Sequence, residues 1–266
     1  MLRPTDAVAP QAMVFSMNAA PADVLRDLAP TGRLRAAINL GNSVLAQTDP
    51  KSGAPVGVTV DLARSLGERL AIPVDLVTFD AAGKVFDALK RSELDIVFLA
   101  IDPVRAAEIA FTPPYALIEG NFVVPENSDL MSMADIDRPG VRVAVARGSA
   151  YDLFLTRALK AATLVRRATG PEALEMFVAE KLEAAAGVKQ PIVKFIKERP
   201  GLRLIEPPFM QIKQAMGTPK DRTAGAAYLH SFIEAMKASG FVADALRRSN
   251  QHDVVVAPAA APAGGA

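Results

Sequence analysis

At 266 residues, half of them hydrophobic, the chain is long enough for two lobes or one large domain, and no apolar run is long enough to span a bilayer. A formal net charge of +1 without a basic stripe excludes a polyanion as the obvious partner, so neither nucleic acid nor membrane insertion is expected. The lack of cysteine removes disulfide and thiol chemistry, and His230 and His252 have no partner at metal-binding spacing, so no metal or other cofactor is expected.

In chain order, Ala20 to Leu28 reads as a short helix within an N-terminal extension, 1–33. Leu34 to Asn39 reads as a strand. Val60 to Leu70 is a helix with Leu62, Leu66 and Leu70 on one face. Val74 to Phe79 is a strand, Val85 to Lys90 a short helix, and Leu94 to Leu99 a strand buried on both faces. Asn121 to Val124 is extended and leads to the turn-rich Pro125-Glu126-Asn127-Ser128, taken as a crossing between lobes. A second unit follows: strand Val141 to Ala146, helix Ala150 to Leu159, strand Leu164 to Arg166, helix Pro171 to Ala179, strand Leu182 to Ala186, helix Pro191 to Lys197 and strand Leu202 to Ile205. Pro207-Pro208 marks the return crossing, Gln211 to Met216 rejoins the first unit, and helices over Arg222 to Lys237 and Val242 to Arg248 close it. This alternation implies an α/β fold with mainly parallel sheets covered by helices. Lobe 1 is expected over 34–120 and 211–252, lobe 2 over 121–210, and the Ala/Pro/Gly-rich 253–266 as a disordered tail.

Two positions carry chemistry on local grounds. Asp102 reads as an N-cap with Pro103 as the first helical residue, which places Arg105 in a first helical turn at the carboxyl end of a strand. A cation gains nothing from its own helix dipole there, so an anionic guest explains it. Ser149 lies three residues before Asp152, like a capping box opening the helix from Ala150, and a helix mouth binds anions. Tyr151, in the first turn, suits an apolar wall, and Phe98, Tyr115 and Gln211 are further candidates for the cleft.

The order of motifs resembles a family, the amino-acid-type (family 3) extracellular solute-binding proteins. The matches are Asp95-Ile96-Val97, Asp102-Pro103-Val104-Arg105 and Phe111-Thr112-Pro113-Pro114-Tyr115. Gly57-Val58-Thr59-Val60-Asp61-Leu62, Val143 to Ala150, and Gln214 to Lys220 fall in the same order. The resemblance covers roughly residues 34 to 250 and implies the two-lobe type II periplasmic-binding-protein (Venus flytrap) fold, with the second lobe inserted into the first. It further implies a monomeric, non-enzymatic clamp serving an ABC permease in the periplasm. Arg105 then grips a ligand carboxylate through two parallel hydrogen bonds, while N–H groups at Ser149 and Ala150 hold it from the other lobe.

The resemblance also places Asn39 and Asn42 where amino-acid binders carry an aspartate and an aromatic. Phe98, Ala100 and Asp102 stand at their serine and threonine contacts. Val188 stands at their acidic ammonium partner, with Lys189 and Gln190 beyond it. The implied ligand is a small carboxylate-bearing molecule: an amino acid, a derivative of one, or an organic acid. The alternatives are an enzyme like the cyclohexadienyl dehydratases, with Glu183, Lys189 or Asp102 as general acid, or a cytoplasmic ligand sensor. No basic start followed by an apolar segment opens the chain, which keeps the cytoplasm open as a location.

Overall fold

A computed structural model describes residues 20–261. The first lobe opens with α1 (Ala22–Leu28) and β1 (Leu34–Asn39), followed by a small hairpin of β2 (Gln47–Thr48) and β3 (Pro55–Val56). Then come α2 (Val58–Leu70), β4 (Val74–Phe79), α3 (Ala82–Lys90), β5 (Val97–Ala100) and α4 (Pro103–Ala106). A long strand, β6 (Ile109–Pro125), leads into the second lobe: α5 (Met133–Ile136), β7 (Arg142–Ala146), α6 (Ala150–Ala158), β8 (Thr163–Arg167), α7 (Gly170–Ala179), β9 (Ala184–Val188) and α8 (Lys189–Glu198). Another long strand, β10 (Leu202–Pro219), returns to α9 (Thr223–Ala238), α10 (Phe241–Arg248) and β11 (Val255–Val256).

Each lobe is a small sheet with helices on both faces. In the first, β4 and β1 are parallel and Ala36 bridges Ile96 in parallel, beside β5. All four β5 residues are buried. The α2 stripe of Leu62, Leu66 and Leu70 packs with α1, α9 and α10 on one face, and Val85, Leu89 and Leu94 cover the other. In the second lobe β8, β7 and β9 are parallel. Leu155 of α6 covers one face, while Phe177 of α7 and Ile192 of α8 cover the other. The sheets are mixed rather than mainly parallel, because β10 runs antiparallel to both β5 and β6, and β6 antiparallel to β9.

The two long strands join the lobes. Their pairing breaks between Ile205 and Met210, around Pro207-Pro208. Buried Asn121 donates to the Ile205 carbonyl at 3.0 Å beside the break. The Pro125–Ser128 turn is not the crossing: it lies at the far end of β6, inside the second lobe.

The expected tail is also corrected. Val255 and Val256 pair with Leu117 and Ala116 of β6, and Val254 and Ala257 are buried. A β-branched run satisfies the free edge of β6. Lys237 secures it by donating to the Pro258 carbonyl at 2.9 Å. Expectations for residues 1–19 and 262–266 lie outside the described residues.

Candidate functional site

Strands of an open α/β sheet leave a crevice at their carboxyl ends, and here two sets of strand ends face each other. Between them lies a cavity of about 610 Å³, within the usual size of small-molecule sites. The first lobe lines it with the ends of β1, β4 and β5, with Arg105, and with Ile212 and Gln214 of β10. The second lobe supplies the ends of β7, β8 and β9 together with the mouths of α6 and α7.

Arg105 is the centre of the arrangement. Asp102 caps α4 by accepting from the Val104 N–H at 2.9 Å, and Pro103 sits at the first helical position. The Arg105 side chain, only 1 % exposed, therefore turns inward. Its Nη1 donates to the Ala100 carbonyl at 2.9 Å and its Nη2 to the Gly148 carbonyl of the other lobe at 2.7 Å. The Nε–H is buried without a partner. Burial pushes the guanidinium pKa down to about 10, with the Asp102 charge pulling it back, so it is charged at neutral pH. Asp102 itself is committed to Arg157 of α6, 2.6 Å away across the lobes.

Opposite stands the mouth of α6. Ser149 caps it, its hydroxyl accepting from the Asp152 N–H at 3.0 Å. Asp152 in turn accepts from the Gly148 N–H at 2.8 Å and pairs with Arg166 at 2.9 Å. The Ser149 N–H is spent on the Ala146 carbonyl. Among the described residues, the N–H groups of Ala150 and Tyr151 remain unpartnered at this positive helix end. Tyr151 is buried against the cavity, and burial pushes its hydroxyl to about 12.

The structure thus brings Arg105, Ser149, Ala150, Tyr151, Asn39, Asn42, Phe98 and Ala100 around one cavity. Asn39 Oδ1 accepts from the Gly41 N–H, whereas Asn42 Oδ1 is buried without a partner. Phe98 also packs edge-on against Tyr115, whose ring lies behind the lining rather than in it.

Three more expected residues fall elsewhere. Lys189 opens α8, two residues earlier than expected, and swings toward the joining strands, pairing with Glu119 at 2.8 Å and Glu206 at 3.0 Å. Gln190 is half-buried outside the lining, with Val188 and Pro191 facing the cavity instead. Gln211 is exposed because β10 alternates over 211–214: Ile212 and Gln214 point in, Gln211 and Lys213 out. Glu183, one of the possible general acids, pairs with Arg142 at 2.8 Å outside the lining.

Sequence reasoning missed Gln214, the Asp80–Ala82 turn, the Thr169–Pro171 turn and an apolar wall of Leu174, Ile192 and Phe195. The strand-end rule that selects Arg105 would have found both turns.

A model of the bacterial extracellular solute-binding proteins, family 3, matches residues 42–250. The chain belongs to this family. Solved structures share its fold: a mutant of ArgBP from T. maritima superposes with a TM-score of 0.73 at 19 % identity, covering 85 % of this chain and 99 % of that one. An ancestral amino acid-binding protein described as a precursor of cyclohexadienyl dehydratase, AncCDT-1, gives 0.70 at 21 % identity over 84 % and 98 %. A curated relative, membrane-bound lytic murein transglycosylase F of Idiomarina loihiensis, is 30 % identical over 106 residues. That match covers 37 % of this chain and spans only 22 % of the relative's length. Among the described residues no helix is long and apolar enough to cross a membrane.

Proposed function

We propose that this family 3 protein is a non-enzymatic clamp that closes on a small carboxylate-bearing solute and presents it to an ABC-type importer outside the cytoplasmic membrane. One observation carries the reading: a buried guanidinium with an unused N–H, bonded to the turn that opens α6, lines a cavity of about 610 Å³ together with that helix mouth. A carboxylate there receives charge-assisted bonds from both lobes, stronger than neutral ones. Because those bonds exist together only when the lobes meet, the ligand binds the closed form in preference to the open one. The groups offered as general acids are committed elsewhere, Asp102 to Arg157, Lys189 to the joining strands and Glu183 to Arg142.

Native mass spectrometry of gently purified protein tests the reading, with a co-purified small acid as the expected result. In a thermal-shift panel of small acids, a ligand at a hundredfold excess over Kd adds about 2.7 kcal/mol. For a chain of this size that corresponds to roughly 5–10 °C. Arg105→Met abolishes the shift; a shift that survives it removes Arg105 from the site.

A further inference from the structure

Among the charged residues that line the cavity, Arg105 alone lies deep, with no carboxylate bonded to it, whereas Arg147, Lys194 and Arg199 sit nearer solvent. The carboxylates of the lining are Asp80, Glu175 and Glu198. Asp80 is 57 % exposed and held by Lys84 at 2.8 Å, and Glu175 is 59 % exposed and held by Arg199. Glu198 is exposed at the same rim of α8. The nearest buried carboxylate behind the Gly148 turn, Asp152, is already paired with Arg166.

Among the lining side chains not committed to helix caps or ion pairs, two amides are placed to meet a ligand's second polar group. Asn42 Oδ1 is buried and unpartnered, and Gln214 faces the cavity from β10. An amide completes a hydrogen bond with a hydroxyl or an N–H but does not neutralise an ammonium. An α-ammonium placed here would be desolvated beside a guanidinium and a helix mouth, all of the same sign, with the neighbouring carboxylate Asp102 already paired with Arg157.

Resting on the carboxylate reading above, we infer that the cavity selects net-anionic acids whose α-substituent is a neutral hydrogen-bond donor, a 2-hydroxy acid or an N-acylated amino acid, over the zwitterionic amino acid. The carboxylate meets Arg105 and the α6 mouth, the hydroxyl or amide N–H meets Asn42, and the remainder of the molecule lies against Leu174, Ile192 and Phe195.

Isothermal titration calorimetry with matched sets of free amino acid, 2-hydroxy acid and N-acetyl amino acid tests this, using leucine, phenylalanine, glutamate and arginine skeletons. The expected result is at least one set in which the hydroxy or acetyl member binds tenfold or more tightly than the amino acid. An amino acid that binds as tightly as its matched partners, and still requires Arg105, overturns the inference while leaving the clamp intact. Failure of every acid in every set overturns both. Asn42→Asp supplies the missing anion and is expected to reverse the order within a set that binds; an unchanged order removes Asn42 from the contact.

Discussion

A guanidinium inside a protein without a carboxylate is costly unless something outside the chain completes it, because desolvation exceeds what two carbonyl bonds return. Arg105 is in that position, whereas the other deeply buried charge on the sheet, Asp95, is not. Asp95 accepts from Arg35 at 2.8 Å and 2.9 Å and from Arg222 at 2.8 Å. This tethers the start of α9 to the first sheet. The two residues should therefore respond oppositely to neutral replacement. Arg105→Met is expected to leave the ligand-free protein unchanged or more stable, by up to about 1–4 kcal/mol, while binding disappears; a lower melting temperature would assign Arg105 to the fold. Asp95→Asn is expected to cost about 3 kcal/mol, since it strands two cations. Burial alone would raise the Asp95 pKa, but the bonds from Arg35 and Arg222 outweigh it and hold the carboxylate below its ordinary value. A carboxylate lowered in the fold contributes stability above its unfolded pKa, about 3.9, and loses it as pH falls through the folded one. Urea melts should show that loss below pH ~4, and Asp95→Asn should remove it.

At the scale of elements, the joining strands are coupled by a residue on neither of them. Lys189, at the first position of α8, gains nothing from its own helix dipole and is held there by Glu119 of β6 and Glu206 of β10. Hydrogen bonds to Glu119, then to Glu206, raise its pKa, so the tether is charged at any ordinary pH. Lys189→Met is expected to change ligand affinity several-fold through the open–closed balance, although Lys189 touches no part of the cavity. Stopped-flow binding that shows altered closure rates would confirm this; unchanged rates would make the tether a surface ion pair of little consequence. Lys189 also shows where sequence reading stops. The β1 and β4 strands, the α4 cap and the Ser149 cap are legible because turn chemistry and apolar runs are local. The start of α8 depends on β9 extending to Val188, and a two-residue shift there turns Lys189 from the cleft to the joining strands. Gln211 and Gln214 differ only in strand parity, and β6 was hidden by Thr112-Pro113-Pro114, which resembles a break. The apolar wall was illegible for another reason: Leu174 and Phe195 read as core, and only packing reveals which face of a helix meets a cavity.

For the whole molecule, the lobes meet through Arg105 to Gly148 and Asp102 to Arg157. A third meeting point has no side chains at all. Gly83 in the first turn of α3 faces Gly148, and a Cβ on Gly83 would stand 2.9 Å from the Arg147 carbonyl and 3.5 Å from Gly148 Cα. Gly148 has a φ of +68° and so has a conformational reason to be glycine. Gly83 does not: it lies in a helix, where alanine is better by about 1 kcal/mol. The simplest account is that glycine at 83 lets the lobes close fully. Gly83→Ala should therefore separate two quantities that usually move together. The ligand-free protein is expected to be as stable or up to about 1 kcal/mol more so, because the open form has room for the methyl group. Affinity is expected to fall by roughly tenfold, since the closed form must part to relieve the contact and the binding-competent fraction drops accordingly. Small-angle scattering with saturating ligand would then report a larger radius than wild type. If Gly83→Ala bound as tightly as wild type and scattered identically, the lobes would not need to meet at this point, and closure would rest on the two arginine contacts alone.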